Sequence, residues 1–327
     1  VGVGGSAIKA LLDDYCRQIL IGTELRGAER VWDTLWSHLH RTGSGGINTL
    51  AIAAVDIAVW DALSVANRKP LYQVLGAARS SIPVYASGID LFMDPARLRS
   101  HLQRYVEDGY RAVKIKVGRP TLREDLERVA VARDVVGPDG ILLLDANQAW
   151  RLDEAVRRLA AFQQYDPYWI EEPLAPEDLE GHARLRRISR VPIAVGESLY
   201  TKHQFLEYLR AEAVDILQPD VARVGGITEW MRIAHLAEAW NRPIAPHFLM
   251  ELSVQLLCAI RGGLILENVA GGSFNELGLV DERIAISDGI ASPPDRAGHG
   301  IRFDRERMAR YEVTSAGLQA LDTRTHK

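Results

Sequence analysis

From about residue 82 the chain alternates short apolar runs with amphipathic stretches. The runs cover 82–88, 112–118, 141–147, 168–173, 193–197, 216–221, 244–248 and 264–269, eight in all. Each has strand length and is nearly continuous in apolar residues, as strands buried on both faces are. The stretches between them carry helix signals. Asp94-Pro95 reads as an N-cap followed by Pro in the first turn, and Leu98, Leu102, Tyr105 and Val106 form a stripe that stops at Gly109. Leu122, Leu126 and Val129 form another stripe, which ends near Gly137. Strand, helix and parallel strand need about 25 residues per unit, joined by right-handed crossovers. Eight such units predict a (β/α)8 barrel of the TIM type, an α/β fold. The rival is an open, doubly wound sheet, and the chain lacks the Gly-x-Gly-x-x-Gly turn after its first strand that would favour it.

Residues 1–81 follow another rhythm. Helices are predicted over 8–21, 29–39 and 50–66, with the loop Thr42-Gly43-Ser44-Gly45-Gly46 between the last two. Beyond residue 270 the pattern is irregular, with Pro293, Pro294 and several glycines. The expected organisation is the helical part of an N-terminal cap over 1–81, the barrel over 82–270, and a C-terminal segment over 271–327 that returns to the cap. The chain opens Val1-Gly2-Val3-Gly4-Gly5 with no Met, so an N-terminal piece is expected to be missing.

Composition narrows the class. The 327 residues are 47% apolar and 25% charged, an ordinary globular mix able to bury a large core. A net charge of −4 leaves no basic footprint for nucleic acid. Cys16 and Cys258 lie far apart in apolar company and read as small buried hydrophobes, not as a disulfide or zinc site. No apolar run is seen to approach the roughly 18 residues that span a bilayer, and no signal peptide is expected. The expectation is a cytoplasmic protein with neither membrane nor nucleic-acid partners.

The chemistry lies at the strand ends. Seven consecutive predicted strands finish in polar residues: Lys114-Ile115-Lys116, Asp145-Ala146-Asn147, Glu171-Glu172-Pro173, Gly196-Glu197, Pro219-Asp220, Pro246-His247 and Leu266-Glu267-Asn268. One Asp there is usually a helix cap and one His a core histidine. Seven on one barrel rim, where such enzymes keep their catalytic groups, read differently. Lys114 and Lys116 alternate, so both face the interior if Ile115 packs outward. Asp145, Glu171 and Glu197 sit on adjacent strands and repel unless a cation lies between them. Hard oxygen ligands suit Mg²⁺, with Mn²⁺ as a substitute. Glu267, across the circle from strand 4, would face a metal-bound carboxylate and, if protonated, donate a hydrogen bond to it. Lys116 and His247 flank such a substrate as proton carriers. Lys114 and burial are expected to lower the pKa of Lys116, and Asp220 to orient His247. The chemistry that results is removal of a proton α to a carboxylate through an enediolate, whose charge a divalent ion stabilises.

These residues resemble the mandelate racemase subgroup of the enolase superfamily. The resemblance adds Trp169-Ile170-Glu171-Glu172-Pro173 and Val224-Gly225-Gly226, and the gaps from Lys116 through Asp145, Glu171, Glu197, Asp220 and His247 to Glu267 are 29, 26, 26, 23, 27 and 20 residues. It implies an α+β cap over the barrel, one essential Mg²⁺, Lys116 as base, a His247–Asp220 dyad, Glu267 as the acid facing the substrate carboxylate, and Asn147 as a substrate contact. Glu172 and Arg223 are expected to act only indirectly. It also implies a homo-oligomer, often an octamer, and an N-terminal lid whose first strands this chain lacks. Within the subgroup, residues 173–182, 223–228, 245–251 and 275–300 look most like acid-sugar dehydratases of the talarate/galactarate type. The substrate implied is a small carboxylate, an acid sugar (aldonate or aldarate) converted to a 2-keto-3-deoxy acid. A racemase or epimerase of a 2-hydroxy acid would use the same parts, and a non-catalytic metal-binding scaffold is the third alternative.

Overall fold

The structure, a computed structural model, describes residues 4–311. Expectations that reach into 1–3 and 312–327 lie outside the described residues. Seven parallel strands lead from β1 (Ile82–Ser87) through β2 (Ala112–Lys116), β3 (Ile141–Asp145), β4 (Trp169–Glu171), β5 (Ile193–Val195) and β6 (Ile216–Leu217) to β7 (Leu266–Val269). β1 to β6 pair in sequence order, and β7 pairs with β1. Between β6 and β7 the ring closes through single bridges, Leu217 to Ile244 and Ile244 to Gly263. The eighth stave therefore exists, but the run at 244–248 is not a full strand. Pro243 and Pro246 offer no N–H, so the ladder cannot extend past Ile244 and Ala245. The fold is the (β/α)8 barrel.

Local signals explain the crossover helices. Asp94 accepts the Arg97 N–H at 2.9 Å to start Pro95–Glu107. Thr121 and Glu124 form a reciprocal capping box ahead of Leu122–Val136, which Gly137 ends. Outward strand residues such as Val113, Ile115, Leu144, Ile170 and Val195 pack with buried helix residues including Leu98, Val129 and Leu159 in one large core. Ile115 does pack outward, so Lys114 and Lys116 face in.

The N-terminal helices have a small core of their own, with Cys16, Trp32, Leu35, Leu39 and Ile52. Buried Ala28, Trp32, Leu35 and Leu39 recur on one face of Ala28–Leu39. Ile47–Ala66 corrects one expectation: its 20 residues are long and apolar enough to cross a membrane by length and composition. Asp56 and Asp61 interrupt it, and it packs on Ala28–Leu39 and on the barrel helix Ile227–Ala239. After β7 the hairpin of β8 (Ile286–Ser287) and β9 (Ile290–Ala291) lies antiparallel to the start of β1. Further on, Gly298 bridges Pro70, and the His299 N–H donates to Asp61 at 2.7 Å. Cys16 and Cys258 are buried free thiols.

Candidate active site

Side chains inside a barrel recur every second residue along each stave. One inward layer, Tyr85, Ala112, Leu143, Trp169, Ala194, Ile216, Ala245 and Ile265, is an apolar cluster separate from the outer core. Two residues further along each stave stand Ser87, Lys114, Asp145, Glu171, Gly196, Gln218, His247 and Glu267. Lys116 and Asp220 lie one step higher again. Gly196 is required in that layer: a Cβ there would sit 2.4 Å from the Gln218 backbone.

Lys114 is the hub. It is 1% exposed, and its Nζ lies 2.8 Å from Glu171 Oε2, 2.6 Å from Glu267 Oε1 and 3.8 Å from Asp145 Oδ2. Register sets Lys116, Asp145 and Glu171 side by side, and Lys116 pairs with Asp145. On the other flank, His247 Nδ1 meets Asp220 Oδ2 at 2.8 Å, and its Nε2 meets Glu197 Oε2 at 2.8 Å. Arg223 donates to the Glu197 carbonyl at 2.8 Å, and its guanidinium lies 3.6 Å from Asp220. Asn147 is exposed just past β3 with φ 43°, and its N–H donates to Asp145 Oδ1 at 2.8 Å.

The surrounding charges act on four of these groups. Burial pulls Lys116 down, and Lys114 adds to that, but Asp145 and Glu171 together outweigh them and the amine lies above its ordinary value. Burial favours the neutral form of Glu267, but Lys114 and His247 hold its carboxyl down at about 2. The Phe248 N–H also donates to it at 2.8 Å. Burial likewise pulls His247 down, yet Glu197 and Asp220 push it well above the ordinary imidazole value. Burial and the neighbouring Asp145 push Glu171 up to about 7.

Among the described residues no three His, Cys, Asp or Glu side chains gather closely enough to hold an ion, and Glu197 meets His247. Asp145 and Glu171 nonetheless face each other in register, and Glu171 Oε1 is buried without a hydrogen-bond partner. An orphaned hard oxygen beside a second carboxylate fits a divalent cation in chemistry.

Three polar residues escaped the sequence reading. Gln218 donates to Glu171 Oε2 at 2.9 Å, and its inward place was legible from the spacing Ile216, Gln218, Asp220. Asp90 accepts the Lys116 N–H at 3.1 Å and pairs with Arg128, which donates to the Lys116 carbonyl at 3.1 Å. No spacing signal announced that pair. Glu172 was expected to act indirectly, and it accepts from Gln148, which also donates to Ser198.

Comparison with known proteins agrees with the resemblance. Residues 97–307 match the enolase C-terminal domain-like family, and residues 1–76 match the mandelate racemase/muconate lactonizing enzyme N-terminal domain. A 3,6-anhydro-alpha-L-galactonate cycloisomerase of Streptomyces coelicolor is 39% identical, over 96% of this chain and 86% of its own. A racemase structure from Streptomyces coelicolor, with bound magnesium, superposes with TM-score 0.91 at 39% identity, covering 96% of this chain and 86% of that one. L-Talarate dehydratase from Polaromonas sp. JS666, complexed with Mg and L-glucarate, gives TM-score 0.86 at 35% identity, covering 94% of this chain and 85% of its own. With matching barrel, spacing and both family domains, the chain belongs to the mandelate racemase/muconate lactonizing enzyme group of the enolase superfamily, whose relatives named here are enzymes.

Proposed function

We propose that this chain catalyses Mg²⁺-dependent removal of the proton α to the carboxylate of an acid sugar, followed by loss of the β-oxygen to give a 2-keto-3-deoxy acid. The observation that carries the reading is the pair of half-buried proton carriers, Lys116 and His247. Each is salt-bridged to its own carboxylate on the rim of one barrel. Asp145, Glu171 and Glu197 are the residues that would hold the ion. The bound ion supplies Lewis-acid stabilisation of charge on the substrate carboxylate.

The protein groups do the rest. Lys114, fixed by Glu171 and Glu267, presents a permanent positive charge where a substrate carboxylate would lie. The carrier that has released its proton takes the α-proton, and the C–H electrons form the enediolate. The β C–O bond then breaks, and the leaving hydroxyl takes a proton from His247 and departs as water. The enol tautomerises to the 2-keto-3-deoxy acid, so protons and electrons balance. Asp220 keeps the His247 ring oriented and stabilises its cation. Asn147, exposed at the rim, is the proposed substrate contact.

The relative at 39% identity supports a second substrate form. In a 3,6-anhydro sugar acid the β-oxygen belongs to a ring ether, so the same elimination opens the ring and releases no water. The test is to incubate the protein with Mg²⁺ and a panel of aldonates, aldarates and 3,6-anhydro acids, and to assay 2-keto products. Products from aldonates or aldarates support dehydration, and products from anhydro acids alone support ring opening. Exchange of the α-proton into deuterated water with no elimination from any acid would replace both with racemisation.

A further inference from the structure

We propose that Asp56 and Trp32, on the N-terminal helices, are positioning residues for the His247–Asp220 proton carrier, acting through the turn that joins Asp220 to the next barrel helix. The inference rests on the reading above, because it concerns that carrier.

The turn is folded around Asp220. Oδ2 of Asp220 holds His247, while Oδ1 accepts the Ala222 N–H at 2.8 Å and the Arg223 N–H at 3.2 Å. Its carbonyl accepts from Arg223 at 3.0 Å and Val224 at 2.9 Å, and the Gly226 N–H donates to Val221 at 2.9 Å. The orientation of the carboxylate is thus tied to the path of 221–226.

The far end of the turn is held from outside the barrel. Gly226 is the N-cap of Ile227–Ala239 and has no side chain to satisfy the first N–H groups of that helix. Asp56 supplies the missing carboxylate: Oδ2 accepts the Thr228 N–H at 2.9 Å and Oδ1 the Thr228 hydroxyl at 2.6 Å. The same hydroxyl accepts from Trp60 at 2.9 Å, and Trp32 donates to the Gly225 carbonyl at 2.8 Å. The approach is close. Gly226 has φ 98°, and a Cβ there would come within 2.5 Å of Asp56 Oδ2. Asp56 is 1% exposed and Trp32 3%, so neither touches solvent that a substrate could occupy.

Among the described residues, Lys116 has no such tie. Its backbone is held by Asp90 and Arg128, both barrel residues, and by the β2 ladder. One proton carrier is therefore anchored within the barrel, and the partner of the other is anchored to the N-terminal helices. Loosening the clamp at Thr228 should disturb His247 and spare Lys116.

The experiment measures α-proton exchange into deuterated water by NMR. The probes are D-gluconate, D-arabinonate, galactarate, L-glucarate and both mandelate enantiomers, with Mg²⁺. Lys116→Ala and His247→Asn first sort the acids by the face from which they exchange. Asp56→Asn and Thr228→Val should then slow exchange from the His247 face about tenfold or more, and change the Lys116 face by less than about twofold. Thr228→Ser, which keeps the hydroxyl, should restore the wild-type ratio. Trp32→Phe, which keeps the ring and loses the N–H, should show the same one-sided loss and stands in if Asp56→Asn does not fold. Equal loss on both faces, or none, overturns the proposal. If the wild-type protein exchanges none of these acids and forms no 2-keto product from any aldonate, aldarate or 3,6-anhydro acid, the proposed function fails, and the low-field Nδ1–H signal of His247 decides this inference alone. Its loss in Asp56→Asn and Thr228→Val supports the clamp, and its persistence overturns it.

Discussion

Two residues separate an apolar plug from a ring of charge inside the same barrel. In the lower layer Tyr85, Leu143, Trp169 and Ile216 fill the space between staves, and their value is volume. In the upper layer Lys114, Asp145, Glu171, His247 and Glu267 occupy the same staves, and their value is mutual compensation. The difference teaches how a buried charge is tolerated. Lys114 is as buried as Trp169, yet it remains a cation because carboxylates surround it on three sides. The plug below excludes water from that ring, which strengthens every interaction in it.

The largest expected effect tests the charged layer as machinery. Lys116→Ala should slow α-proton removal from its own face by about 10²–10⁴-fold, the usual worth of a general base, with the far-ultraviolet circular dichroism unchanged. Full turnover on an acid that exchanges from that face would remove Lys116 from the mechanism. Next, Lys114→Met should cost about 3–5 kcal/mol in urea unfolding, because Glu171 and Glu267 lose their cation at once. Adding Glu267→Gln should recover part of that loss. A Lys114→Met protein as stable as wild type would show that the ring is not self-compensating. In the lower layer, Trp169→Ala should cost a similar ~3–5 kcal/mol through the cavity it leaves. No companion substitution of charge should repair it, which separates volume from compensation in the same assay.

The smallest effect compares buried acids with and without a cation at contact distance. Glu267, with Lys114 at 2.6 Å, is held down at about 2. Asp56 has the Thr228 hydroxyl and N–H and only a distant Arg232, so burial pushes it up to about 6. A carboxyl raised in the folded state binds its proton more tightly there than in the unfolded chain. Its contribution is therefore most favourable below the ordinary value of 3.8 and is lost as pH rises through about 6. Asp56→Asn should flatten that fall, by on the order of 1–3 kcal/mol between these limits, in denaturant midpoints measured against wild type. An unchanged pH profile would mean that Asp56 stays ionised in the fold.

Much of this was legible residue by residue. Near-continuous apolar runs marked the staves, because strands buried on both faces admit little else. The Asp94 cap was readable from local spacing. The Lys114-Ile115-Lys116 alternation put both amines inside, since side-chain direction has period two whatever the strand packs against. The stave at 244–248 was read as a strand, and its prolines, visible in the same line, reduce it to bridges.

By itself, then, the sequence determined which residues face the barrel interior and that the polar ones gather at one rim. Backbone periodicity is local, and the pattern carries it. Only the tertiary structure decided the partners: Glu197 on His247, Lys116 on Asp145, and Glu267 on Lys114. It also decided that Asp56 would cap a helix 172 residues further along the chain. Those choices balance Coulomb attraction against the cost of leaving water, and that balance exists only once distant segments stand within a few ångströms of one another.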